Sequence, residues 1–458
     1  MQLHTTLLLA LLTLSCKSKS LDLFAKHGSG EGTAALPAAS MHTAKAPGDL
    51  PGAPVLRAPF DVAWDTMRLE DGIVRANVRG GGTADLSVDP DLQKFSERAL
   101  AAAKLKSGAA VALDVRTGRV LAFASFPLGA THQAQLAGAP AASVFKVVTG
   151  TALIESRKVT PATEECFGGG GGQKLTERDL AVDPDRDHTC VTLAHAMGHS
   201  TNAVFARLAA RFVPRDKLQG VSDRLHFTNE LGLDVPLQPS KYAPPADDAG
   251  YARTAAGFWN TTLSAPHAAW ISAVMAGQGR APRPWLVARA QREGSEPYLH
   301  AEPAAGAAVE QVVSPEVASA VTEMMRTTVT DGTARKAFRD GAGRSFVGDV
   351  AVAGKTGTLT DHENKVYYTW FTSFAPAAAS PGPGSGPGFG PAVEPIAIAV
   401  VAANGPSWKV KANVIAREIM RHAFAQRRVP GVLSSAVPAY ETPEPKKRSK
   451  STATAKKH

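Results

Sequence analysis

A serine and a lysine stand three residues apart in the otherwise small or apolar segment APAASVFKVVTG, residues 139–150. Residues i and i+3 share one face of a helix, so the Lys146 amine can reach the Ser143 hydroxyl. A serine is a weak nucleophile unless an adjacent base takes its proton. Burial among Val144, Phe145 and their neighbours would lower the pKa of the amine, because it disfavours the ammonium. The segment therefore predicts a serine nucleophile activated by an uncharged lysine.

Two further motifs follow along the chain: Ser200-Thr201-Asn202 and Lys355-Thr356-Gly357-Thr358. Each of the three patterns, SxxK, SxN and KTG, occurs once in the sequence. Ser200 could be a helix cap, and the lysine motif could be a turn. If they belong to the same site, Ser200 can relay a proton from Lys146 to a leaving amine, and Asn202 can hold a substrate amide. If the motifs had purely structural roles, three independent coincidences would have to occur in this order.

The lysine motif lies in a predicted strand and supplies the substrate-binding groups. The positive charge of Lys355 would lower the pKa of Lys146 further by repulsion. Backbone N–H groups of Ser143, at the start of a helix, and of Thr358 can form an oxyanion hole. Gly357 would leave room for a substrate strand to approach.

The apolar pattern predicts a sheet assembled from both ends of the domain, with a helical subdomain inserted between. Residues 108–127 form a hairpin with its turn at Gly118, after a helix opened by Pro90 and Asp91. Residues 143–330 have a mostly helical pattern, with loops at 167–190 and 236–260. Three strands follow, and then a helix: 345–359, 366–376, 396–405 and 408–426.

Composition predicts five segments. They are an export signal at 1–16, a flexible Ala-, Gly- and Pro-rich tether at 17–58, a short strand segment at 59–83, the main domain at 84–426 with a Pro/Gly-rich insertion at 378–394, and a disordered basic tail at 427–458. Six of the nine net positive charges lie within 446–457. Because the remaining chain is only mildly basic, the charge indicates a solvated tail and no nucleic-acid partner.

The N-terminal stretch LLLALLTLSC is too short to span a bilayer and ends at a cysteine. It resembles a bacterial lipoprotein signal, in which Cys16 would be acylated and anchor the chain to the membrane on the periplasmic side of the envelope. Thr13 and the lack of a basic residue before the apolar core depart from that pattern. A cleaved secretory signal and a misassigned start are the alternatives.

Two cysteines remain after Cys16. In an exported protein Cys166 and Cys190 are expected to form a disulfide, which would stabilise the fold by about 3 kcal/mol. A zinc site is the alternative, because three histidines lie nearby: His188, His195 and His199. No CxxC accompanies them, so we expect no metal and no cofactor.

From residues 84 to 425 the sequence resembles the penicillin-binding protein transpeptidase domain, whose motif trio it carries. The segments LSVDPDLQKFSERAL, GAAVALDVRTGRVLAFASFP and WNTTLSAPHAAWISAVMAGQGRAPRPWLV contribute to the likeness. The resemblance implies an α/β fold of the α+β type: a five-stranded antiparallel sheet flanked by helices, with an inserted all-helical subdomain and the site in the cleft between them. The residues preceding the nucleophile are Ala-Ala, where Pro-Gly is common in the family.

By that resemblance Ser143 is the acylated nucleophile and Lys146 its base, while Lys355, Thr356 and Thr358 bind the substrate carboxylate and line the oxyanion hole. The implied reaction is D,D-transpeptidation of peptidoglycan stem peptides, inhibited by β-lactams, with a glycosyltransferase as a potential partner. A D,D-carboxypeptidase, a β-lactamase and a non-catalytic penicillin-binding sensor are the alternatives. Asn202 disfavours a class D β-lactamase, in which that position is apolar.

Overall fold

The computed structural model describes residues 60–129, 131–169, 175–292, 294–301, 309–377, 393–406, 410–428 and 432. The expected export signal with Cys16 and the expected tether lie outside the described residues, as do nearly all of the Pro/Gly-rich insertion and of the basic tail. All elements below belong to one compact unit.

The described helices α1 to α10 are, in chain order, Pro90–Ala102, Lys146–Glu155, Leu193–His199, Asn202–Phe212, Arg215–Arg224, Asp248–Ala255, Ala265–Ala276, Pro315–Thr330, Arg335–Phe338 and Ala412–Gln426. The described strands β1 to β15 are Val62–Glu70, Ile73–Val78, Thr83–Leu86, Ser107–Asp114, Val120–Phe126, Ala139–Pro140, Glu164–Phe167, Thr189–Thr192, Lys241–Tyr242, Thr261–Leu263, Val287–Gln291, Tyr298–Leu299, Ala353–Asp361, Val366–Ala375 and Ile396–Asn404. A 3₁₀ turn, Ala142–Phe145, leads directly into α2.

The central sheet has the strand order β13-β14-β15-β4-β5, and every pairing in it is antiparallel. Its middle strand, β15, is buried along its whole length because both faces are covered. Ile396 and Ile398 pack into the core shared with α1 and α10, whereas Ala397 and Ala399 belong to the core that contains α7. Small side chains on the second face let α7 lie close to the sheet. The predicted five-stranded sheet built from both ends of the domain is confirmed.

Helix α1 begins at Pro90, as the pattern predicts. The N-cap is Asp89, whose carboxylate accepts hydrogen bonds from the backbone N–H groups of Asp91 and Leu92. Pro90 occupies the first helical turn, where its missing N–H costs no hydrogen bond. The expectation that Pro90 and Asp91 open the helix is confirmed, and the capping residue, Asp89, immediately precedes them.

A second sheet joins residues distant in sequence, in the order β1-β2-β3-β11-β12. Strand β3 pairs with β11, with Leu86 opposite Val287. The expected division between 83 and 84 falls inside β3, so the strands of 59–83 are part of a sheet that the main domain completes. The other expected domain boundaries remain predictions.

The segment between the two halves of the central sheet is mostly helical, from α2 to α8, but it also contains short strands. Helix α6 lies inside the predicted loop at 236–260, and the predicted loop at 167–190 ends in β8. Cys166 on β7 and Cys190 on β8 form a disulfide. The fully buried guanidinium of Arg207 on α4 donates to the Cys166 carbonyl oxygen at 2.7 Å and to the Asp187 carboxylate at 2.6 Å.

Helix α8 positions the parts of the chain that carry the motifs. It packs against α2, α3 and β13. These three elements lie at or beside the SxxK, SxN and KTG motifs, so one helix serves as the common packing partner of the site. In the part of the chain that the structure describes, no helix combines the length and the apolar character needed to cross a bilayer.

Candidate active site

Ser143 lies on the 3₁₀ turn, and Lys146 is the first residue of α2. The tight turn holds their side chains together, with 3.0 Å between Ser143 Oγ and Lys146 Nζ. The preceding residue, Ala142, has a φ of 49°. That left-handed conformation favours glycine and costs an alanine roughly 1 kcal/mol. The Ala-Ala pair before the nucleophile, noted in the sequence where Pro-Gly is common, thus still adopts a left-handed turn.

The Lys146 amine is fully buried and has three neighbours of known hydrogen-bonding character. It donates to Asn202 Oδ1 at 2.6 Å and to the Ala256 carbonyl oxygen, and it lies beside the Ser143 hydroxyl. An amide oxygen and a carbonyl oxygen can only accept. A neutral amine has two N–H groups, which these two oxygens take up, so its lone pair is directed at Ser143 Oγ. The surroundings therefore orient the amine as a proton acceptor.

Burial sets the protonation of both lysines in the site. Desolvation and then the positive charge of Lys355 hold the pKa of Lys146 well below its usual range. Lys355 is also fully buried, and desolvation lowers its pKa to about 7. Burial thus favours the uncharged amine of Lys146, while at neutral pH Lys355 carries a proton in a substantial fraction of the molecules.

The second motif lies between two helices. Ser200 is the C-cap of α3, with a φ of 61°, and Thr201 is the N-cap of α4. The alternative in which Ser200 starts the following helix is therefore wrong. The left-handed turn aims Ser200 Oγ at Lys355, whose amine donates to it at 3.0 Å. The carbonyl oxygen of Asn202 accepts from the Lys146 amine, and the expected contact of this side chain with a substrate amide stays a prediction.

The third motif lies on β13, an edge strand of the central sheet among the described strands. Strand β13 also packs against the 3₁₀ turn that carries Ser143. A Cβ atom on Gly357 would lie 3.3 Å from the Ala142 Cβ and 3.1 Å from the Trp370 Cβ. Gly357 therefore permits close packing of the strand against the turn, and the space it would leave for a substrate strand stays a prediction. Thr356 and Thr358 on the same strand are partly exposed.

Three residues of the site had no motif to indicate them. Ala256 accepts from Lys146, Gly257 has a φ of 85°, and a Cβ on Gly257 would lie 2.4 Å from the Ala142 carbonyl oxygen. Thr333 Oγ1 lies 2.6 Å from Thr356 Oγ1, and its backbone N–H donates to the Gly198 carbonyl oxygen. A glycine after a helical run signals the end of α6. Nothing local shows that this end supports the nucleophile.

The arrangement has the parts of an acyl-transfer site. Ser143 can act as a nucleophile and Lys146 as a base within hydrogen-bond distance of it, the two requirements for covalent catalysis at neutral pH. The ammonium form of Lys355 can attract an anionic group of a substrate. The edge of β13 offers backbone groups to an extended peptide.

Comparison with known proteins gives the same class. A family model described as the penicillin binding protein transpeptidase domain matches residues 108–381. The peptidoglycan D,D-transpeptidase PbpA of Mycobacterium tuberculosis is 27% identical over 356 residues, which cover 68% of each chain. PbpA of Mycolicibacterium smegmatis is 28% identical over 351 residues, covering 68% of this chain and 67% of the relative.

Solved structures of the same class share the fold. The D,D-transpeptidase domain of a peptidoglycan glycosyltransferase from Eggerthella lenta has a TM-score of 0.58 at 22% identity and covers 80% of this chain and 91% of that one. The imipenem acyl-enzyme of penicillin-binding protein A from M. tuberculosis has a TM-score of 0.56 at 24% identity, covering 75% and 80%. The chain belongs to the penicillin-binding protein transpeptidase domain family, and the predicted resemblance is confirmed.

We expect Gly257→Ala to lower the free energy of unfolding by about 2 kcal/mol and to slow penicillin acylation about tenfold. The added Cβ meets a left-handed φ and the backbone of Ala142 at once, and the clash displaces the turn that carries Ser143. Urea unfolding and labelling with a fluorescent penicillin measure the two effects. Gly72→Ala is the matched control, since Gly72 has a φ of 78° and nothing within 4 Å. Equal effects of the two substitutions on acylation would contradict the proposed contact.

Proposed function

We propose that this protein is a peptidoglycan D,D-transpeptidase that works through an ester on Ser143 and is inhibited by β-lactams. The observation that carries the proposal is the 3.0 Å contact between Ser143 Oγ and the buried Lys146 amine, whose two other neighbours are obligate acceptors. Because burial and the charge of Lys355 lower the pKa of this amine, Lys146 is suited to act as a base. Family membership and the curated D,D-transpeptidase relatives support the same reaction.

The first half of the reaction forms the acyl-enzyme. Ser143 Oγ attacks the carbonyl carbon of the penultimate D-alanine of a stem peptide, and its proton passes to Lys146 Nζ. The bond between this carbon and the nitrogen of the terminal D-alanine then breaks. The leaving amine takes the proton, relayed by Ser200, and free D-alanine departs. Backbone N–H groups of Ser143 and Thr358 stabilise the oxyanion.

The second half transfers the acyl group. An amine from a neighbouring peptidoglycan strand attacks the ester carbon and loses a proton to Lys146. The bond to Ser143 Oγ then breaks, and Ser143 Oγ recovers a proton from Lys146. The edge position of β13 supports binding of the stem peptide as an added strand. Lys355 and Thr356 receive its terminal carboxylate, and Asn202 keeps the Lys146 amine oriented throughout. Because Lys146 ends each half as it began, one base serves both.

The rest of the chain supports an envelope location. We propose that residues 1–16 direct export, that lipidated Cys16 anchors the protein, and that residues 17–58 tether the catalytic domain on the periplasmic side. The basic segment 427–458 remains proposed as a solvated tail. A glycosyltransferase that makes the glycan strands is the proposed partner, since cross-linking requires new strands with free stem peptides.

The proposal is tested with purified protein, a pentapeptide ending in D-Ala-D-Ala and an amine acceptor. We expect mass spectrometry to find the peptide–acceptor product and, after penicillin treatment, an adduct on the peptide that contains residue 143. Ser143→Ala should give neither. Hydrolysis alone would indicate a carboxypeptidase, rapid turnover of nitrocefin a β-lactamase, and slow acylation with no product a sensor. An adduct on another peptide would reject the assignment of Ser143.

A further inference from the structure

The C-terminal ends of α3 and α8 meet beside the candidate active site. Thr333, just after α8, donates from its backbone N–H and its Oγ1 to the Gly198 carbonyl oxygen in α3, at 3.0 and 3.2 Å. Three potential metal ligands lie at this junction: His195 and His199 on α3, and Asp331, the C-cap of α8. We propose that these three side chains bind a divalent transition-metal ion of the zinc class, which links the two helices next to the active site.

The geometry of the three side chains suits one ion. His195 and His199 are four residues apart, so both rings lie on one face of α3, and they stack with 4.0 Å between their centroids. His199 Nε2 and Asp331 Oδ2 are 3.1 Å apart, and one ligand atom from each of the three residues lies within 4.8 Å of the others. Ligands of a tetrahedral zinc ion are separated by about 3.4 Å, given Zn–N and Zn–O distances near 2 Å. Small side-chain rotations would close the set.

The electrostatic setting of this junction favours the binding of a cation. Two helix C-termini converge here, and each carries partial negative charge. Asp331 adds a carboxylate, which lies 3.1 Å from His199 Nε2. His195 is partly buried, and its ring stacks on that of His199. Arg335 is the positive group that acts on Asp331 from outside the set.

Two imidazole nitrogens and one carboxylate oxygen are a ligand set of zinc-class ions, with a fourth position left for water. His199 and Asp331 are exposed, so an ion can enter from solvent. The set differs from the zinc site considered from sequence, which needed the cysteines. Those thiols form a disulfide, and the third ligand comes instead from Asp331, 132 residues from His199 along the chain.

The ion would cross-link α3 and α8 beside the candidate active site. His199 immediately precedes Ser200, which contacts Lys355, and Asp331 lies two residues before Thr333, which contacts Thr356. A bond from each side to one ion would hold the SxN and KTG motifs at a fixed separation. The role is structural, and the proposed acyl transfer proceeds without a step at the metal.

The test uses the untagged full chain, stripped with a chelator and dialysed against micromolar Zn²⁺. We expect one zinc per chain by elemental analysis, visible absorption bands of a tetrahedral site when Co²⁺ replaces it, and a rise in Tm of roughly 3 °C at a hundredfold excess over Kd. His199→Ala and Asp331→Asn, both at exposed positions, should each weaken zinc binding at least tenfold, as should His195→Ala.

His188→Ala is the matched control, because His188 lies near the disulfide and outside the proposed set. It should bind zinc as the natural sequence does. Absence of zinc from the unaltered protein would overturn the proposal, and so would binding unchanged in the His199 and Asp331 variants, which would leave their contact as an ion pair only. Melting in the presence of chelator identifies any variant that fails to fold. Because these readouts need no substrate, they stand apart from the test of transpeptidation.

Discussion

Replacing Lys146 with methionine is expected to lower the second-order rate constant for acylation by a β-lactam about 10³-fold. Methionine fills a similar volume but cannot accept the Ser143 proton, and a positioned general base contributes about 10²- to 10⁴-fold. The loss should appear at every pH, because no other base lies on the hydroxyl in the geometry described. Stopped-flow or gel-based labelling with a fluorescent penicillin measures the rate.

The surface variant Lys158→Met is the control for removing a lysine near the same helix, and it should label normally. Lys146→Arg tests the protonation state separately. An arginine keeps its proton throughout the accessible pH range, so this variant adds a permanent positive charge and removes the base. We expect it to be as slow as the methionine variant. Acylation of folded Lys146→Met within tenfold of the natural rate would show that another group takes the proton.

Asn202→Asp distinguishes a base from a merely structural lysine. The substitution preserves shape but places a carboxylate 2.6 Å from Lys146 Nζ. An opposite charge at that distance favours the ammonium and raises the pKa of Lys146. The amine is then neutral only at higher pH, so acylation relative to the unaltered protein at the same pH should be slow at neutral pH and recover as the pH rises. A rate reduced equally at all pH values would indicate lost geometry and would contradict the role given to the neutral amine.

The motifs and the central sheet could be predicted because their signals are local. Ser143 and Lys146 are one helical turn apart, so spacing alone brings them together. The long apolar run of β15 required both faces to be covered, which only a central strand achieves. The conformation of Ser200 was harder to predict, because serine and threonine both favour helix N-caps and either Ser200 or Thr201 could precede α4. Only the structure shows Thr201 at the cap and Ser200 in the left-handed turn before it.

The remaining parts of the site depend on contacts between distant segments. Ala256 contributes a backbone oxygen, which any residue possesses, so its identity carries no signal. Nothing in the sequence around Gly257 and Gly357 indicates that both glycines pack closely against Ala142, which only the structure shows. Likewise, the pairing of β3 with β11 joins short strands about 200 residues apart, and short-range periodicity cannot report it. Long-range packing thus supplies what the motifs need to become a site.

Acylation by β-lactams that carry a carboxylate is expected to fall as the pH rises through about 7. Burial lowers the pKa of Lys355 to about 7, and only its ammonium form attracts the carboxylate. Above that pH the charged fraction falls tenfold per unit, and so should the second-order rate constant, which reports groups of the free protein. At saturating ligand the fall should begin at higher pH, because a bound carboxylate raises the pKa of Lys355.

Lys355→Arg assigns this alkaline limb to one residue. The guanidinium keeps its charge at all accessible pH values, so the fall near pH 7 should disappear even though the larger group lowers the overall rate in a fully buried position. Lys355→Met should be slow, by about 10²-fold, and insensitive to pH over the same interval. Persistence of the limb in the arginine variant would assign it to another group. Loss of the alkaline fall in the arginine variant would assign that fall to Lys355. Burial would then have two effects, because desolvation lowers the pKa of Lys146, which makes it a base, and also lowers the pKa of Lys355, which limits its positive charge at high pH.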